Sequence, residues 1–172
     1  MPDFFDGQPL DISVFPPKTD EHKKILGNFF ATTANPEETQ KKIPECLKAA
    51  EKFNPNIKVW GALGYCWGGK MISLLSGPGT PLTAAAQTSP AMVDPKDAEN
   101  ISIPMCLLAS QDENVEDIKK FEENLKGVKH VATYDTMPHG FMSAKADLSK
   151  SDVLKEYESG YKTVLTFFHD NL

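Results

Sequence analysis

Across the last two thirds of this chain, short apolar runs alternate with longer stretches of helical periodicity, and that alternation limits the fold more than any other feature. Residues 57–65 (Ile-Lys-Val-Trp-Gly-Ala-Leu-Gly-Tyr) are rich in β-branched and aromatic side chains and predict a strand. Residues 103–109 are almost continuously apolar, the pattern of a strand buried on both faces. Residues 128–136 predict a third strand, and the small-residue run 83–88 is a weaker candidate. Between them, 71–75 read as a helix stopped by Gly77-Pro78-Gly79. Residues 114–126 carry Val115, Ile118, Phe121 and Leu125 at spacings of three to four, which predicts another helix. A last helix from about Ser151 places Val153, Leu154, Tyr157, Tyr161, Val164, Leu165 and Phe168 on one broad face. This order predicts a three-layer α/β fold with a mainly parallel central sheet.

The first third reads differently. Residues 1–18 hold four prolines and the adjacent Phe4 and Phe5, and predict an extended loop. Residues 20–31 predict a helix with Ile25, Leu26, Phe29 and Phe30 as its apolar stripe. Asn35 offers an N-cap, Pro36 suits the first helical position, and Glu37 and Glu38 favour a helix start, so a second helix is expected to run to about Phe53. Asn54-Pro55-Asn56 ends it. With no repeat, low-complexity tract or linker, a single domain over residues 1–172 is expected.

Charge and cysteine usage narrow the function. The net charge is -6 and no Lys/Arg-rich run occurs, which argues against nucleic acid or an anionic membrane as partner. Cys46, Cys66 and Cys106 are odd in number, far apart and without a C-x-x-C pairing, so neither a disulfide framework nor a zinc site is indicated. The start, Met1-Pro2-Asp3-Phe4-Phe5-Asp6-Gly7, lacks the basic and apolar regions of a signal peptide, and no run is long enough to span a membrane. A cytoplasmic protein is the expectation.

The densest chemical signal is Gly64-Tyr65-Cys66-Trp67-Gly68-Gly69, between a predicted strand and a predicted helix. It matches G-x-nucleophile-x-G with cysteine at the centre. A nucleophile on so sharp a turn is held in a strained backbone, and Gly64 and Gly68 are expected to relieve crowding two positions away. The helix start beyond favours a thiolate, and the Trp67 N–H is a candidate donor to a tetrahedral oxyanion. The competing reading is a buried small hydrophobic cysteine, on a Gly-rich turn of the kind that also serves phosphate binding. Cys46, inside a predicted helix, and Cys106, in mid-strand, are read as structural.

A thiolate nucleophile needs a base, and the base an orienting acid, in the chain order nucleophile, acid, base. Asp112, in Ser110-Gln111-Asp112-Glu113-Asn114, follows the 103–109 strand and is the candidate acid. His139, in Met137-Pro138-His139-Gly140-Phe141, follows the 128–136 strand and is the candidate base. All three thus fall at the carboxyl edge of the sheet, where open α/β sheets place their sites. Glu113 and Asp135 are rivals to Asp112. His22 and His169 lie on predicted helices and read as surface residues, while His130 is at a strand start. Trp60, Trp67 and Phe141 are candidates to wall an apolar substrate pocket, with core packing the stronger reading for Trp60.

These motifs, with Gln111-Asp112, Pro138-His139-Gly140-Phe141, the opening Pro2 to Leu10 and Phe15-Pro16-Pro17, resemble the dienelactone hydrolase family, its fungal branch most closely. The resemblance covers essentially the whole chain. It implies an α/β-hydrolase fold and hydrolysis of a small ester or lactone without cofactor or metal, by a triad on Cys66, Asp112 and His139 with Trp67 as oxyanion donor. Family members carry further strands, and a second oxyanion donor, ahead of the Pro-Asp-Phe-Phe segment. This chain opens at that segment, so an N-terminally shortened version of the fold is expected. Bacterial members hold a substrate carboxylate with arginines; the matching position after the histidine is Ser143 here, with Lys145 nearby. The monomer and the homodimer are both open. Two other readings remain: a relative without turnover acting as a binding or interaction protein, and a redox-reactive thiol at Cys66.

Overall fold

The computed structural model describes residues 2–172, so of the opening segment only Met1 lies outside. The described residues fall into two compact units, one ending at Pro55 and one running Asn56–Leu172.

In the first unit the proline-rich opening is not uniformly extended. Asp3 turns the chain by accepting from the Phe5 and Gly7 N–H groups (2.9 and 2.7 Å). A short 3-10 helix follows at Ile12–Val14, capped by Asp11. Helix α1 (Asp20–Ala31) starts where Thr19 accepts from the His22 N–H. The expected second helix is broken into α2 (Pro36–Thr39), a 3-10 turn (Gln40–Lys42) and α3 (Ile43–Phe53). Asn35 caps α2 as anticipated. The break falls just before Pro44, whose ring removes one backbone donor and crowds the preceding turn, so a new helix starts there instead of continuing the old one.

The second unit is built on four parallel strands in the order β1 (Gly61–Tyr65), β2 (Ala84–Thr88), β3 (Met105–Ser110) and β4 (Lys129–Tyr134). The register pairs Tyr65 with Thr88, Thr88 with Leu108, and Ser110 with Tyr134. The strand ends of this edge therefore lie side by side. Helices α4 (Trp67–Leu75), α5 (Pro95–Asn100), α6 (Val115–Asn124) and α7 (Ser151–Asn171) fill the connections and the C-terminus. Strand β1 begins later than the sequence pattern suggested, because 57–60 lie outside the ladder. Helix α5 was not anticipated, although Asp94 at its N-cap and Pro95 at its first position are a recognisable start.

Side chains alternate across this sheet as strand geometry requires. Ala84, Ala86, Cys106 and Leu108 pack with Val164 and Phe167 of α7, together with Met137, Phe141 and Met142. Gln87 points the other way and donates to Ser73 of α4. Both faces are thus covered by helix, which explains why β2 and β3 are buried at every position. The alanines of β2 leave room for helices on both sides, so the weakest strand signal in the sequence lies at the centre of the core. Gly160 of α7 has the same origin: a Cβ there would meet Met142 Sδ at 2.5 Å.

Candidate active site

Cys66 lies between β1 and α4 as the N-cap residue, with φ 52° and ψ -117°. This is a conformation that a non-glycine residue occupies only under strain, and such outliers cluster at functional sites. The two flanking glycines have different jobs. A Cβ on Gly64 would sit 2.3 Å from the Gly68 carbonyl oxygen, so only glycine permits the turn to close. A Cβ on Gly68 would meet nothing within 4 Å, which corrects the symmetrical role expected for it. Gly69 N–H closes the first turn on the Cys66 carbonyl at 2.9 Å.

His139 reaches Cys66 from the loop after β4. The thiol and imidazole are hydrogen-bonded to each other. That bond is the main cause pulling the Cys66 thiol below its ordinary value of 9.0, with the Trp67 backbone N–H helping against a contrary effect of burial. The same bond is the main cause raising His139, followed by Glu113, to about 9. Together these shifts favour a thiolate paired with an imidazolium at neutral pH.

The acid on the imidazole differs from the expected one. Glu113 Oε1 lies 2.7 Å from His139 Nδ1, and its side chain is 5% exposed. Its other oxygen accepts the Ser110 N–H. Asp112 is exposed, and its carboxylate accepts the backbone N–H of His139 at 2.7 Å. Asp112 therefore holds the loop, and Glu113 holds the ring. The physical reason is a reciprocal turn: Asp112 N–H donates to Ser110 Oγ while the Glu113 carboxylate folds back onto Ser110 N–H. Only the Glu113 half matches an S-x-x-E capping box, since the hydroxyl takes the N–H of residue 112 and the helix beyond is capped by Asn114; the turn sets residue 113 inward and residue 112 outward. The Ser110-x-x-Glu113 spacing is the trace this turn leaves in the sequence, and by itself it does not choose between the two acids. Asp135 has no bond to the histidine ring among the described contacts.

Phe141, expected to wall a pocket, is fully buried in the core, its ring 4.8 Å from Tyr134. The cause is the turn at Gly140 (φ 83°), which sends the chain back into the sheet immediately after His139. Trp60 and Trp67 are half-buried. A cavity of about 370 Å³ does open beside His139. It is lined on one side by Pro90, Ala91, Met92 and Val93, and on the other by Asp112, Glu113, Asn114 and Asp117. Sequence reasoning did not single out the 90–93 wall. His130 and His169 are exposed and His22 is half-buried. Cys106, in mid-strand, is fully buried and its thiol is pushed up to about 12 by burial. Among the described residues no three His, Cys, Asp or Glu side chains are grouped to hold a metal ion, and no helix is long and apolar enough to cross a membrane.

The strained cysteine elbow, the buried carboxylate on the imidazole and the parallel sheet beneath them lead to the relatives. The sequence profile of the dienelactone hydrolase family matches residues 1–172. The chain belongs to the dienelactone hydrolase family. It is 35% identical over 175 residues to the uncharacterized AIM2 family protein C30D10.14 of Schizosaccharomyces pombe, covering 98% of this chain and 69% of that protein. A second S. pombe AIM2 family protein, C977.15, also uncharacterized, is 28% identical, covering 99% of this chain and 70% of that one. Among solved structures, the fold resembles the dienelactone hydrolase-like promiscuous phosphotriesterase P91 from metagenomic libraries. The TM-score is 0.62 at 16% identity, over 87% of this chain and 66% of that one. It also resembles a protein called m3DLH, with a TM-score of 0.63 at 14% identity, over 91% and 69% of the two chains. The α/β-hydrolase fold expected from the motifs is therefore the fold of this family member.

Proposed function

We propose that this protein hydrolyses a small carboxylic ester or lactone through a thioester on Cys66. The observation that carries the reading is the continuous chain from the Cys66 thiol through His139 to buried Glu113. The Cys66 thiolate attacks the carbonyl carbon, and the electron pair moves onto the carbonyl oxygen. The backbone N–H of Trp67, at the first position of α4, is the candidate donor to that oxyanion. Collapse of the intermediate expels the alkoxide, which takes its proton from the His139 imidazolium. Glu113 keeps the ring oriented and compensates its charge.

The second half-reaction follows from the same electrostatics. Once Cys66 is acylated it no longer carries the negative charge that raised His139, so the imidazole stays neutral and serves as base for water. Hydrolysis then returns the thiol and releases the acid. The open space beside His139, with Pro90 to Val93 as one wall, has room for a small acyl or alcohol group.

Burst kinetics with p-nitrophenyl acetate, beside a Cys66→Ala control, test the proposal. A Cys66-dependent burst followed by steady turnover is expected. Equal p-nitrophenol release by the two proteins, both folded by circular dichroism, would overturn it.

A further inference from the structure

Cys66 and His139 come from opposite edges of the sheet, after β1 and β4, with two strands between them. At the usual interstrand spacing those edges are about 14 Å apart. The side chains meet only because the loop after β4 folds back across the strand ends. The segment that receives it is 88–91, the last residue of β2 and the three beyond it, which is bonded to both partners.

On the nucleophile side, Cys66 N–H donates to the Thr88 carbonyl (3.2 Å) and Ala91 N–H donates to the Cys66 carbonyl (3.0 Å). On the base side, the N–H of Gly140, next to His139, donates to Ser89 Oγ at 3.0 Å. Ser89 itself is anchored by its N–H to the Leu108 carbonyl at 2.8 Å and is 2% exposed. Its φ is 41°, a region where glycine sits freely and serine does not. A strained serine at a site that suits glycine implies that the hydroxyl is needed.

We infer that Ser89 is a positioning residue: its hydroxyl pins the His139 loop to the segment that also holds Cys66, and so sets the thiol–imidazole bond. The inference rests on the hydrolase reading only for its consequence in turnover; the effect on the thiolate is separate.

Two variants test it. Ser89→Gly removes the hydroxyl and the strain together, whereas Ser89→Ala removes the hydroxyl and keeps the strain. The readouts are the melting temperature, the pH profile of iodoacetamide alkylation followed at the Cys66 peptide by mass spectrometry, and kcat and KM for p-nitrophenyl acetate. Ser89→Gly is expected to melt at or above the parent temperature and Ser89→Ala below it. Both are expected to alkylate Cys66 about tenfold more slowly near neutral pH, as the loss of one hydrogen bond would produce. Both are expected to lose kcat with KM within about twofold. If alkylation follows the melting temperature rather than the hydroxyl, or if Ser89→Gly keeps the parent profile, the inference is overturned. A parent without esterase turnover, together with a shifted profile in Ser89→Gly, would remove the hydrolase reading and leave the positioning role standing. Should Ser89→Ala fail to fold, the Ser89→Gly profile decides alone.

Discussion

Cys66 and Cys106 share a side chain and a sheet yet have opposite chemistry. Cys106 sits within β3, fully buried in the apolar cluster under α7; burial pushes its thiol to about 12. Cys66 sits one residue beyond the end of β1, where the ladder stops, the backbone is strained and a helix begins; there an imidazole pulls its thiol down. The contrast shows that moving from the middle of a strand to its carboxyl end turns a packing residue into a candidate nucleophile. Reactivity belongs to the strand end because that is where side chains from separate loops converge.

Removal of each thiol probes this contrast most strongly. Cys66→Ala is expected to lose p-nitrophenyl acetate turnover by at least about 10³-fold. Cys106→Ala, if folded, should keep kcat within about twofold. Comparable losses in both would break the distinction.

A smaller effect is expected at the acid. In Glu113→Gln one amide oxygen must serve both the Ser110 N–H and the His139 ring, so an NH₂ group is forced against one of them. A drop in kcat of about 10²–10⁴-fold is expected. Asp112→Ala removes only a bond to the His139 backbone at an exposed site, and a loss of less than about tenfold is expected. The reverse ranking would restore Asp112 to the role that the sequence suggested.

The pH dependence sharpens the picture further. His139 is raised from 6.5 to about 9, so its contribution to stability is fully present below 6.5 and is lost as pH rises through about 9. Acylation by an alkyl ester, whose alkoxide must be protonated as it leaves, should decline across that same upper window, where the imidazolium disappears. Because Glu113 is one of the causes of the raised value, Glu113→Gln should move the upper limb to lower pH. Single-turnover acylation by an alkyl ester, followed from pH 6 to 10, measures both.

The smallest effect is confined to stability. Cys106→Ser places a hydroxyl in a sealed apolar site and should lower stability by about 1–3 kcal/mol in urea unfolding, without moving the Cys66 alkylation profile.

Much of this was legible because it is local. The Gly64–Gly69 turn works through atoms a few residues apart: Gly64 must lack a Cβ because the Gly68 carbonyl is only four residues on. The apolar run of β3 and the periodicity of α6 and α7 likewise reflect neighbours in sequence. The order of the loops after β1, β3 and β4 follows from parallel topology, so Cys66 and His139 were identifiable without coordinates.

What the sequence could not decide were the contacts made between distant segments. Whether residue 112 or 113 faces the imidazole depends on how the reciprocal turn at Ser110 meets a loop 26 residues away. Phe141 looked like a pocket wall until the turn at Gly140 directed it beneath Tyr134. Ser89 was invisible because its partner, Gly140, lies 51 residues further along the chain. Chain order and local sterics are written in the sequence, and they determined the strands, the elbow and the pairing of Cys66 with His139. The direction of each side chain at a strand end is decided by which segments pack against it, and only the tertiary structure contains that.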